Sequence, residues 1–199
     1  MRTKEPREFA EGYLRRAAEA LLSAAADCLD DVEAAAGICA ASLRASGKLL
    51  ICGNGGSAAD AQHLATEFVS TLTLDNRRPA IPAIALTTDT SVLTAVANDF
   101  GFSEVFSRQV ESLGRQGDVL VAISTSGGSV NVVRAAEQAR AQGLSVVALT
   151  GKDAGKLGAV ADVSICAPSS VTAHIQECNL AIEHLIAHLV EEELHPRPS

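Results

Sequence analysis

Five short apolar runs, each followed by a stretch of helical pattern, constrain this chain more than any other feature. They are "KLLIC" (48–52), "AIAL" (83–86), "DVLVAIS" (118–124), "SVVALT" (145–150) and "VSICA" (163–167). A strand covered on both faces reads as a continuous apolar run, and strands alternating with helices build a parallel sheet. The pattern predicts an α/β fold: a three-layer sandwich with a five-stranded parallel sheet and helices on both faces. Two helical patterns precede the first run, at 7–28 and 31–45, with Asp30 or Asp31 expected to cap the second. Further helices are expected at 57–72, ended by "NRRPAIP", at 103–113, after "TSGGS", and from 172 to 193, with "ANDFGF" (97–102) as a loop. The chain divides into N-terminal helices for packing or oligomerisation (1–46) and one sheet-containing unit (47–199).

In such sheets ligands bind beyond the carboxyl ends of the strands. The first strand runs into Gly53-Asn54-Gly55-Gly56-Ser57-Ala58, which matches G-x-G-x-x-A. A dinucleotide site also wants an acid about twenty residues on, at the end of the next strand. Asp89 comes too late for that and Asp75 lies before the strand, so this reading is set aside. "TGKDAGK" is no P-loop, because Asp153 stands where Ser or Thr is required. The third strand ends in "ISTSGGS", which places Ser124, Thr125, Ser126 and Ser129 at a helix start with two glycines between them. One such loop is better read as a turn and a cap. Two at neighbouring strand ends, both rich in hydroxyls, point to a cradle for a phosphate monoester.

The charge balance agrees with a small ligand. Sixteen Lys and Arg stand against 24 Asp and Glu, a net charge of −8, which disfavours nucleic acid and anionic membrane. An anion must then be held by local hydroxyls and N–H groups. Five cysteines (Cys28, Cys39, Cys52, Cys166, Cys178) include no C-x-x-C pair and read as reduced thiols of a cytoplasmic protein. The opening "MRTKEPREFAEGYLRR" lacks the apolar core of a signal peptide, and no run is long enough to span a membrane.

On the helix after the first loop, His63 and Glu67 are four apart and share a face, with Asp60 three residues before. On the last helix Gln176 and His184 are eight apart, about 80° around the axis. Taken alone, the first pattern suits an exposed ion pair and the second a solvated polar face. Spacing does not bring the two helices together.

Taken together, "GNGGSAADAQHLATEF", "ALTTDTSVLTAVANDFGF", "FSRQVESLGRQGDVLVAISTSGGS", "ALTGKDAGKL" and "IQE" followed by His184 resemble the sugar isomerase (SIS) domain family, and within it the bacterial phosphoheptose isomerases. The resemblance covers nearly the whole chain and implies flavodoxin-like strand order. It implies conversion of sedoheptulose 7-phosphate to D-glycero-D-manno-heptose 7-phosphate through an enediol, the first step toward nucleotide-activated heptoses. It makes Glu67 and His184 the catalytic pair, and Ser124, Thr125, Ser126 and Ser129 the phosphate holders. Asn54, Gly55, Gly56, Ser57, Asn98, Asp99 and Gln176 match substrate positions. His63, Glu67, Gln176 and His184 match a site for one Zn2+. A homotetramer with sites at subunit junctions is implied, and that would explain how the last helix meets the first-loop helix. The chain departs from the family pattern at Thr71, Ala173, His174 and Asn179, which bears on the exact sugar. The rival class is a non-catalytic SIS tetramer binding a replication initiator or another protein; such members lack the carboxylate and imidazole found here.

Overall fold

The computed structural model describes residues 5–73 and 76–196; Asp75, weighed above, lies outside them. Two helices come first, α1 (Pro6–Asp27) and α2 (Leu29–Arg44). Then follow β1 (Leu49–Gly53), α3 (Gly56–Val69), β2 (Ala83–Ala85) and α4 (Thr90–Asp99). A 3-10 turn at Phe102–Glu104 leads to α5 (Ser107–Leu113), β3 (Val119–Ser124) and α6 (Val130–Ala141). The chain ends with β4 (Ser145–Gly151), α7 (Gly155–Gly158), β5 (Val163–Ala167) and α8 (Thr172–Leu194). The strands form one parallel sheet in the order β2-β1-β3-β4-β5, as the family resemblance implied.

Period two along each strand divides the core into two layers. Leu49, Ile51, Val119, Val121, Ile123, Val147 and Leu149 face α2, α3 and α8, burying Val32, Leu64, Phe68, Ile182 and Ile186. Leu50, Cys52, Leu120, Ala122, Val146 and Ala148 face the other way, onto α5 and α6. There Ala135, Ala136 and Ala139 are fully buried, and their small side chains let α6 lie close on the sheet. Asp118 ties the strand starts together: its carboxylate accepts from the backbone of Lys48 and Arg115, both at 2.9 Å, and pairs with the Lys48 ammonium at 2.5 Å.

Several local expectations change. Neither Asp30 nor Asp31 caps α2; the break from α1 is a single residue, Cys28, and both acids lie inside the first turn of α2. There they favour the positive end of the helix dipole instead. The expected 97–102 loop starts three residues late because α4 runs on to Asp99, and the 103–113 helix is split by the 3-10 turn. The first-loop helix stops at Val69 instead of 72.

That stop has a physical cause. The last carbonyls of a helix have no partner within it, and here the Arg78 guanidinium supplies donors, to Glu67 O at 2.7 Å and Phe68 O at 2.7 Å. The same guanidinium pairs with Glu191 of α8 at 2.7 Å, both side chains being 2% exposed. Burial pushes the Glu191 carboxyl up, but hydrogen bonds from Arg78 and Asn76 outweigh it and hold it below the usual range. The breaker segment thus clamps α3 to α8. All five cysteines are free thiols, and burial pushes Cys39 and Cys52 up to about 12, which leaves neither as a nucleophile.

Removing one partner of a buried ion pair strands the other charge and costs about 3–5 kcal/mol. We expect Arg78→Ala to destabilise the protein by that amount in urea denaturation. Arg78→Lys should restore only part of it, since a compact ammonium lacks the planar fork whose separate nitrogens reach two carbonyls and a carboxylate.

Candidate active site

The site is built where α3 and α8 meet beyond the end of β1. At the start of α3, Gly56 has no side chain, and a Cβ there would stand 2.6 Å from the Gln176 amide carbon. This gap lets the first turns of α8 lie against the loop. Gln176 Nε2 donates to Asp60 Oδ1 at 3.3 Å, tying the two helices. One turn further, His63 Nε2 lies 2.7 Å from His184 Nε2, with the rings edge to face. Glu67 Oε1 is 3.4 Å from His63 Nε2. The ligating atoms of His63, Glu67 and His184 all lie within 4.8 Å of one another, a group able to hold a metal ion. Two imidazole nitrogens so close share one hydrogen, or both give their lone pairs to an ion.

All of these residues come from one chain. The expected explanation, that a subunit junction is needed for the last helix to meet the first-loop helix, is therefore corrected. The shared core of Leu64, Phe68, Ile182 and Ile186 already holds α3 and α8 together.

The hydroxyl loop lies at the neighbouring strand end. Ser124 is 3% exposed and donates to Ser129 Oγ at 3.0 Å, which leaves the Ser129 hydroxyl hydrogen free, and no side chain caps α6. Ser126 Oγ accepts from Gly128 N at 3.2 Å. Ser57, in the first turn of α3, is 7% exposed. Neither α3 nor α6 has a side-chain cap, so both present helix-start N–H groups to the same region. Gly127 adopts φ +60°, and its backbone lies directly against Ala154 in the loop after β4, which fixes the loop's shape. Beside it, a cleft of about 270 Å³ is lined by Thr125, Ser126, Lys152, Ser169 and Thr172.

Asn54 is engaged rather than free. Its amide exchanges two 2.8 Å hydrogen bonds with Asn131 of α6, joining the two loops. Gly55, with φ +57°, makes the turn between β1 and α3. Asn98 and Asp99 are exposed at the end of α4, where Asn98 Nδ2 donates to Asp99 Oδ1 at 2.7 Å.

Sequence reasoning missed Asn131 and Glu183, and singled out Asn179 only as a departure from the family pattern. Asn179 and Glu183 are 0% exposed on the face of α8 that includes Gln176. Asp60 was placed on the same side as His63, but it points inward and is 5% exposed. Burial pushes its carboxyl up, against the opposing effects of Gln176 and His63. Burial, then the charge of Asp60, pushes Glu183 up to about 9. The available signal was the 176-179-183 spacing, which sets three polar residues along one helical stripe.

With this geometry in place, comparison with known proteins is direct. The SIS domain family model matches residues 12–151. The phosphoheptose isomerase of Rhodospirillum rubrum is 55% identical over 84% of this chain and 88% of its own. The solved phosphoheptose isomerase of Neisseria gonorrhoeae superposes with a TM-score of 0.89 at 41% identity, covering 94% of this chain and all of that one (100%). That of Francisella tularensis gives 0.91 at 34%, covering 95% and 100%. An SIS model spanning most of the chain and close relatives of a single kind leave one assignment: this chain belongs to the phosphoheptose isomerases of the SIS domain family.

Proposed function

We propose that this protein is the aldose–ketose isomerase that converts sedoheptulose 7-phosphate to D-glycero-D-manno-heptose 7-phosphate, opening the route to nucleotide-activated heptoses in the cytoplasm. The observation that carries the reading is the convergence of Glu67, His63 and His184 in one chain, beside a loop of uncharged donors. No helix among the described residues is long and apolar enough to cross a membrane.

Ser57, Ser124, Thr125, Ser126 and Ser129, with the helix-start N–H groups of α3 and α6, hold the phosphate. A helix start alone contributes only about 0.3–1 kcal/mol toward an exposed anion, so the hydroxyls carry much of the load. The sugar extends toward Gly55, Gly56 and Gln176, while Asn54 shapes the floor through Asn131. Glu67 is the base that moves the proton between C1 and C2. Its Oε2 accepts no hydrogen bond among the described residues, while Oε1 faces His63, so one oxygen remains for the proton. His184, where its Nε2 is not taken by an ion, moves the second proton between the two sugar oxygens.

The residues fit a zinc ion: two imidazoles and a carboxylate are a common open catalytic set. His63, Glu67 and His184 would hold it, with Gln176 Oε1 as a fourth ligand. Bound there, zinc polarises the carbonyl and stabilises negative charge on the enediolate oxygens.

Asn98 and Asp99 contact substrate across a subunit junction of a homotetramer. Beside them Phe100 is 58% and Phe102 61% exposed, and on α1 Leu14 is 68% and Leu22 73% exposed, apolar surface that further subunits would cover.

Glu67→Gln and His184→Ala should each lower turnover of sedoheptulose 7-phosphate about 10²–10⁴-fold, read by proton exchange at C1 and C2 in deuterated water. Intact turnover by Glu67→Gln would remove it as the base. Chelation should abolish activity and zinc should restore it, whereas full activity in verified metal-free protein rejects the ion. Light scattering of the purified protein should give four chains per particle.

A further inference from the structure

Behind the His63–Glu67–His184 group lies a set of buried polar atoms that the reaction above does not use. Asp60 Oδ2, both side-chain atoms of Asn179 and both carboxylate oxygens of Glu183 are enclosed, and none has a hydrogen-bond partner among the described residues. Asn179 and Glu183 are 0% exposed and four apart on α8, so their side chains share one face. Asp60 approaches that face from α3, since its other oxygen accepts from Gln176, and its charge acts on Glu183. Each buried polar atom left unpaired costs the full desolvation penalty of its group. Five such atoms in one place are not sustained without a guest. The set holds acceptors on Asp60, Asn179 and Glu183 and a donor on Asn179, which suits a small molecule that both donates and accepts. Buried water meets these terms, and typically makes about three hydrogen bonds.

We propose that Asp60, Asn179 and Glu183 enclose an internal water site, and that this site holds Asp60 so that the Gln176 amide keeps its nitrogen inward and its oxygen available to the metal. Glu183 and Asn179 are then positioning residues, acting on the ion only through Asp60 and Gln176. The role given to Gln176 rests on the metal reading above; the water site itself does not.

The test is a high-resolution crystal structure of the zinc-loaded protein, with zinc affinity measured by chelator competition for wild type, Glu183→Gln and Glu183→Leu. We expect water density within hydrogen-bonding distance of Asp60 Oδ2, Asn179 and Glu183. Loss of such outer-shell support typically weakens metal binding about 10–100-fold, and Glu183→Leu should do so; a cooperative melting transition in the same variant shows that it is folded. Glu183→Gln, which still bonds water, should stay near wild type. A direct Asp60–Glu183 hydrogen bond with no water overturns the site. Density with unchanged zinc affinity in Glu183→Leu overturns its effect on Gln176. Wild-type protein that binds no zinc overturns the metal reading and the role of Gln176 with it, while the density still decides the water site.

Discussion

Everything in this molecule that bears on chemistry depends on α8 lying against α3 at contact distance. Two devices hold that contact, one at each end. At the start of α3, the missing side chain of Gly56 admits Gln176, which bonds Asp60. At its end, Arg78 joins the last carbonyls of α3 to Glu191 of α8. Between them Leu64, Phe68, Ile182 and Ile186 fill the space under the helices. With both ends fixed, His63 and Glu67 on one helix and His184 on the other have few ways not to meet. Residues more than a hundred positions apart thus form one group without a second subunit.

The second constraint is electrostatic. On the proposed reading, a protein of net charge −8 holds a phosphate dianion with neutral donors on fixed backbone. The Asn54–Asn131 amide pair sets the loops after β1 and β3 side by side, and the Gly127–Ala154 contact joins the latter to the loop after β4. Preorganised dipoles of this kind need no reorganisation when charge arrives. Lys152 stands in the adjoining cleft, near Thr125 and Ser126.

The sheet was legible because strand burial and period two leave a strong mark: all five apolar runs became strands, in the implied order. The place of the hydroxyl loop, between β3 and α6, was legible from the apolar run before it and the helical pattern after it. What escaped was tertiary. Nothing local marks Asn131 as the partner of Asn54, or Arg78 as the clamp on Glu191 rather than part of a helix breaker. Glu183 sits in a stripe whose neighbours Ile182 and Ile186 are core, and a glutamate is read as solvated unless its enclosure is known. Helix limits failed where a side chain from elsewhere decided them, as at Val69. The α1–α2 break failed because a single residue, Cys28, separates them and leaves no room for a capping acid.

The most direct test of a single-chain site is complementation between inactive variants. Glu67→Gln and His184→Ala subunits are co-expressed with different tags, and mixed particles are isolated and assayed. If the carboxylate and the imidazole must come from the same chain, mixed particles contain no intact pair and stay as inactive as either parent. Recovery of a substantial fraction of wild-type turnover would mean that the pair is assembled between chains, and would contradict the account.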